Sequence, residues 1–169
     1  MTRRILFWII VIAAVTGTGY HVVGRYFRTD ESRIRKAVTD CAGALESGRA
    51  HRIYIALQRN LASDYAHKGE IAPIDRGTAI SYLARLVQRY ENFEVDIRRM
   101  DVSIENGEAV ADVWGIVTAA PRGAPENRQE LLTAGGRNRA RIELRKDNGR
   151  WRIISSRRLE GTLDDLPTE

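Results

Sequence analysis

The chain has 169 residues, with 27 Lys and Arg against 22 Asp and Glu and a formal net charge of +5. That length suits one domain with its own core, and charges so nearly balanced give no argument for nucleic-acid binding. The single cysteine, Cys41, excludes an intrachain disulfide and reads as a small buried apolar group.

The first element is apolar. Ile5 to Gly24 are twenty positions without a formal charge, opened by Arg3-Arg4 and closed by Arg25. As a helix they would span roughly 30 Å, the thickness of a bilayer's hydrocarbon core. Phe7 and Trp8 near one end, and Tyr20, His21, Tyr26 and Phe27 near the other, suit the two interfaces. The segment therefore reads as a single-pass anchor over residues 1–28 with its short flanks, using the lipid bilayer as partner through residues 5–24. Flanking charge places the N-terminus inside and the bulk of the chain outside the cytoplasmic membrane. The alternative is a secretory signal that is cleaved, since Thr16, Gly17, Thr18 and Gly19 follow the apolar core; no Ala-x-Ala site is present, and the run continues through Val22-Val23. A twin-arginine signal and a lipoprotein anchor fit less well, because the segment is too apolar for the first and Cys41 lies too far on for the second.

Residues 29–160 are expected to form the domain, with 161–169 an acidic tail. Thr29 can cap a helix over Asp30 to Ser47, whose face carries Ile34, Val38, Cys41 and Leu45 and whose stop is Gly48. A second helix covers about Ala50 to Leu61, with Ile53, Leu57 and Leu61 inward, and Ser63 to Pro73 reads as polar connection. Asp75 caps a third helix with the stripe Ile80, Leu83, Ala84, Val87 and Tyr90.

After Asn92 the apolar period changes from 3.6 to 2. Phe93, Val95 and Ile97 occupy odd positions, then Met100, Val102 and Ile104 even ones, so a bulge at Arg98-Arg99 is expected to re-phase one strand. Asn106-Gly107 and Asn148-Gly149 are type I′ hairpin signals. They separate the return strand Glu108 to Ala119 and the second hairpin Arg137 to Leu159, with a Pro/Gly-rich loop, 120–136, between. The expected class is α+β, three helices packed on a curved four-stranded antiparallel sheet behind an N-terminal transmembrane helix.

The order of elements, together with Leu45-Glu46-Ser47-Gly48, Ala62-Ser63-Asp64-Tyr65, Gly107-Glu108-Ala109-Val110-Ala111 and Lys146-Asp147-Asn148-Gly149-Arg150-Trp151-Arg152-Ile153, resembles NTF2-like proteins, including the SnoaL-like group. The resemblance covers about Asp30 to Glu160 and implies a cone-shaped α+β fold. Its members include isomerases, dehydratases, epoxide hydrolases, transport factors and noncatalytic accessory domains, so the resemblance alone selects no activity.

Two-residue turns set the expected pairing. One sheet face then carries Met100, Val102, Ile104, Ala109, Ala111, Val113, Gly115 and Val117, continued by Ala140, Ile142, Leu144, Trp151, Ile153 and Ser155, and the helices should cover it. Only Ser155 on that list is an ordinary polar side chain, and general acid/base work needs a positioned proton carrier. The helix-side pocket candidates are Tyr54, Asp64, Tyr65 and Tyr82. Asp64-Tyr65-Ala66-His67 invites a catalytic interpretation but reads better as surface residues and a core tyrosine. His21, His51 and His67 show no metal-ligand spacing, and neither a metal nor an organic cofactor is expected.

The opposite face is expected to show Arg99, Asp101, Asp112, Trp114, Arg139, Arg141, Glu143, Arg145, Arg152, Ile154 and Arg158. Asp101 would face Asp112, and Arg145 would face Arg152, each unfavourable by a few tenths to about 1 kcal/mol unless neighbours compensate. The second hairpin is basic while residues 159–169 hold four acidic and no basic side chains. Arg139, Arg141, Arg145, Arg152, Arg158 and Trp114 are therefore the candidate binding residues, for an acidic partner, a lipid headgroup, the acidic tail or a second copy of the chain. The expected function is a membrane-tethered, noncatalytic binding or assembly module of the cell envelope. The alternative is a SnoaL-like, cofactor-independent isomerase, dehydratase or hydrolase acting on an apolar small molecule.

Overall fold

The structure, a computed structural model, describes residues 29–68, 73–131 and 138–159. The expected anchor and the acidic tail lie outside the described residues. No helix among the described residues is long and apolar enough to cross a membrane.

Helix α1 is Asp30–Glu46, and the Thr29 hydroxyl accepts from the Ser32 amide at 3.3 Å to close its first turn. Ile34, Val38 and Leu45 are buried along its inner face, and Cys41 is half-buried. Gly48, at φ +59°, reverses the chain in the left-handed region that glycine adopts without strain. Helix α2 then runs over Ala50–Asn60, burying Ile53 and Leu57. It ends one residue earlier than expected, because Leu61 is already extended.

Leu61–Lys68 form strand β1, where the sequence suggested polar connection. β1 pairs in parallel with the last strand, β7 (Arg150–Leu159), through Leu61↔Ile153, Ala66↔Ser155 and His67↔Ser156. A short strand β2, Pro73–Asp75, pairs antiparallel with β1. The hydropathy of β1 conceals it: Ser63, Asp64, His67 and Lys68 are polar, and only Leu61, Ala62 and Tyr65 are buried. Its backbone partners come from almost ninety residues further on, which no local pattern encodes.

Helix α3, Arg76–Arg89, is capped by Asp75, whose carboxylate accepts from the Thr78 amide at 2.7 Å. Tyr90, expected as the last residue of its stripe, instead opens strand β3, Tyr90–Glu105. β3 pairs with β4, Glu108–Pro121, which also pairs with the two-residue β5, Gln129–Glu130, and with β6, Arg139–Asp147. The order β2-β1-β7-β6-β4-β3, with β5 beside β4, makes a seven-stranded mixed sheet in place of the expected four antiparallel strands.

Asp101↔Asp112 and Arg145↔Arg152 pair as the turn geometry requires, and a bulge falls between Ile97 and Arg99 as expected. Register shifts between Leu61 and Ala66 and between Glu91 and Glu94, and a bulge at Ile154, are unannounced in the sequence. Leu144 still faces Ile153, but the next pairs are Glu143↔Ser155, Ile142↔Ser156 and Ala140↔Arg158. Beyond Ile154, therefore, the side chains of β7 exchange faces. Ser155, expected inward, lies on the Glu143 face and donates to the Glu143 carboxylate at 2.5 Å. Arg158, expected on the open face, joins Ser156 on the helix side, and Arg157 takes its place.

The core lies between the helices and the face bearing Met100, Ala109, Ala111, Val113, Leu144, Trp151 and Ile153. Lys146 links its parts: its ammonium bonds the Asp30 carboxylate at 2.9 Å and lies 5.8 Å from the Trp151 ring centre. Gly115 marks a close crossing, because a Cβ there would lie 2.6 Å from the Asp96 carbonyl oxygen. Gly115→Ala should accordingly lower unfolding free energy by about 1–3 kcal/mol through overpacking. Trp151→Ala, which empties a buried ring site, should cost about 3–5 kcal/mol. Urea denaturation measures both, and unchanged midpoints would show that neither position is confined as described.

Candidate functional site

The open face is a network of ion pairs built around one buried ring. Trp114 is only 7 % exposed although it lies on the face away from the helices. Its cover is cationic: the Arg139 guanidinium sits 4.7 Å from the ring centre and that of Arg99 5.7 Å. Asp112, one pleat along β4, receives Arg141 at 2.8 Å and Arg139 at 2.7 Å. These hydrogen bonds, that from Arg141 foremost, hold the Asp112 carboxyl below the usual carboxylate range against the opposing effect of burial.

The like-charged oppositions are thus resolved by neighbours in the sheet. Asp101 takes Arg99 at 2.9 Å, while Asp112 is shared by two arginines of β6. Arg145 reaches Asp64 at 3.0 Å, and Arg152 approaches Asp147 at 3.6 Å. Glu143 accepts from Ser155 and from Lys68 at 3.0 Å, and the Ser155 bond in particular lowers its carboxyl pKa. Arg157, which the sequence reading missed, makes no ion pair among the described residues, and its Nε is buried without a hydrogen-bond partner. Beside this network, Asp101, Val102, Ser103, Val110, Asp112 and Arg141 line a shallow groove of about 320 Å³.

The pocket candidates do not converge. Tyr54 and Tyr82 are 51 % and 47 % exposed on their helices, and Asp64 points to the open face in its pair with Arg145. Tyr65 alone is buried on the helix side, because adjacent residues of a strand point to opposite faces. There its hydroxyl meets the Ser156 hydroxyl at 2.7 Å, and His67 Nδ1 meets the same Ser156 oxygen at 2.8 Å. Arg158 stands two residues beyond Ser156 on the same face.

This Tyr65–Ser156–His67 constellation was hidden from the sequence by the β1 assignment and the Ile154 bulge together. Its local signs were Tyr65-Ala66-His67, which read better as a core tyrosine among surface residues, and the dipeptide Ser155-Ser156. Burial, and secondarily the charge of Arg158, lowers the His67 pKa and favours the neutral ring. Burial raises the Tyr65 phenol above its ordinary value, and pushes the Cys41 thiol up to about 11. Among the described residues, no group of His, Cys, Asp and Glu is arranged to hold a metal ion.

No known family's sequence profile matches the chain, and no curated protein matches it. Solved structures do. One provisionally described as an aromatic ring hydroxylase from Novosphingobium aromaticivorans aligns over 80 % of this chain and 94 % of its own, at 14 % identity and a TM-score of 0.62. One provisionally described as a dehydratase from the NTF2-like family of Streptomyces avermitilis aligns over 79 % and 98 %, at 14 % identity and a TM-score of 0.58. An NTF2-like protein from Cytophaga hutchinsonii aligns over 79 % and 99 %, at 12 % identity and a TM-score of 0.57. The fold is therefore NTF2-like: α+β, with three helices on a mixed sheet. Identities this low establish the fold and leave activity to the site.

Because the folded state favours neutral His67, its contribution to stability is present above the ordinary histidine range and is lost as pH falls below that range. Histidine NMR should place the His67 midpoint below the ordinary value, and Arg158→Gln should move it upward. A midpoint that Arg158→Gln leaves in place would separate the two side chains.

Proposed function

We propose that this chain is a membrane-tethered, noncatalytic binding or assembly module of the cell envelope, with its open sheet face as the docking surface. The observation that carries this reading is the buried Trp114 under two guanidiniums beside the 320 Å³ groove, on a sheet face that the helices leave uncovered. The tether is residues 5–24, and the short segment 25–29 keeps the domain next to the bilayer.

The geometry sorts the basic side chains by availability. Arg139 and Arg141 are committed to Asp112, whose side chain is 14 % exposed, so removing both would strand a carboxylate with little solvent. Arg145, Arg152 and Arg157 are better placed to read an acidic protein partner: Arg145 sits in an exposed pair, Arg152 in a loose one, and Arg157 is without an ion pair among the described residues. Exposed pairs of this kind contribute about 0–1 kcal/mol, so a partner's carboxylates can displace them at little cost.

A second reading, a SnoaL-like cofactor-independent isomerase, dehydratase or hydrolase, is favoured by the Tyr65–Ser156–His67 hydrogen bonds and by the provisional enzyme descriptions of two structural neighbours. The two readings differ in which variant loses function. The full chain carrying Arg145→Gln, Arg152→Gln and Arg157→Gln should stay folded, remain in carbonate-washed membranes and lose salt-sensitive photo-crosslinking from Ser103 to a protein partner. Retention of full cellular function by that triple variant, with loss in a folded Tyr65→Phe or His67→Gln variant, would replace the module by the enzyme. Release of the parent chain by carbonate would remove the tether alone.

A further inference from the structure

We propose that His67, Ser156 and Arg158, on the helix side of the sheet, form a binding site for the carboxylate of a small organic acid. This site is separate from the open face and lies on the other side of the same strands. His67 and Ser156 are direct partners across the parallel β1–β7 pairing, and Arg158 is the next residue of β7 on that face. A diagonal neighbour across paired strands is within reach of a side chain as long as arginine.

The protons of the constellation can be followed. With His67 neutral and its proton on Nε2, the Tyr65 hydroxyl donates to Ser156 Oγ, and Ser156 donates to His67 Nδ1. In that tautomer the Nε2 hydrogen is the one that the hydroxyls of the trio do not engage. Arg158 supplies further donors and a full positive charge, and among the described residues it makes no hydrogen bond or ion pair. No carboxylate of the described residues contributes to the field at His67, whereas Arg158 does. A cation and an imidazole thus share one face of adjoining strands with no carboxylate of the described residues between them. One guanidinium and one N–H donor match the two oxygens and the single charge of a carboxylate. The Ser156 bond fixes the ring's orientation, and Tyr65 in turn fixes Ser156.

A bound carboxylate would favour the charged imidazole and so offset both burial and Arg158. The test follows the His67 ring by NMR in the full chain in lipid nanodiscs, with His67→Gln to assign its signals apart from His21 and His51. Sodium acetate and sodium benzoate are titrated against sodium chloride at matched ionic strength. The expected result is a saturable shift of the His67 signals and an upward move of their titration midpoint, produced by the carboxylates and not by chloride. Arg158→Gln should lose the saturable response at least tenfold in apparent affinity, and Ser156→Ala should weaken it, with both variants retaining the parent's spectral dispersion. Equal responses to chloride and acetate, or an undiminished response in Arg158→Gln, would overturn the proposal. So would a His67 midpoint that falls in Glu70→Gln or Glu160→Gln, because the chain's own carboxylate would then occupy the site. The open-face triple variant should titrate as the parent does, which keeps failure here distinct from failure of the docking surface.

Discussion

A strand sorts its side chains by parity, and one extra residue reverses the sorting for everything beyond it. Two of the register shifts in this sheet decide which residues face its core. The bulge between Ile97 and Arg99 allows β3 to place Val95 and Ile97, then Met100 and Val102, against the same core. The bulge at Ile154 does the opposite kind of work: it takes β7 from a core strand, with Trp151 and Ile153 inward, to one whose inward residues are Ser156 and Arg158. The hydrophobic face of the sheet therefore turns polar at one end, within a single strand.

That polar end acquires meaning only because β1 lies beside it. A parallel strand must reach its partner through a crossover, and here the connection encloses most of the domain. Tyr65 and His67 arrive next to Ser156 from eighty-nine or more residues away in sequence. The cost of ordering such a distant contact is met by the surrounding core, in which Leu61 and Tyr65 are buried with Ile153 and Trp151.

The other face uses charge where the helix side uses apolar packing. Trp114 is shielded from water by guanidiniums, and these are fixed by carboxylates, Arg139 by Asp112 and Arg99 by Asp101. Ring, cations and carboxylates form one unit, since removing Asp112 would release Arg139, the nearer of the two arginines that cover the indole. Such a surface differs from the usual solvated face of an antiparallel sheet, where polar side chains point individually into water. It offers planar donors already oriented around an apolar centre.

Local chemistry was legible in the sequence wherever the deciding contacts are local. Thr29 and Asp75 cap helices with amides three residues on, Asn106-Gly107 and Asn148-Gly149 close two-residue turns, and the odd-to-even change of apolar positions announces the bulge between Ile97 and Arg99. From these the α+β class, the pairings of both hairpins near their turns and the faces of Trp114, Arg139, Arg141, Arg145 and Arg152 follow. What only the tertiary structure decided depends on contacts between distant segments. Ser63 to Lys68 become a strand because β7 and β2 pair with this segment, not because its side chains are apolar. Arg158 changes face because Ile154 is inserted opposite the β6 register, and the residues beyond it, Ser155-Ser156-Arg157-Arg158, carry no apolar alternation that would reveal the change. Tyr54 and Tyr82 remain outside for the complementary reason: aromatic character shows that a ring can be buried, but whether a neighbour arrives to cover it is settled by the packing of the whole chain.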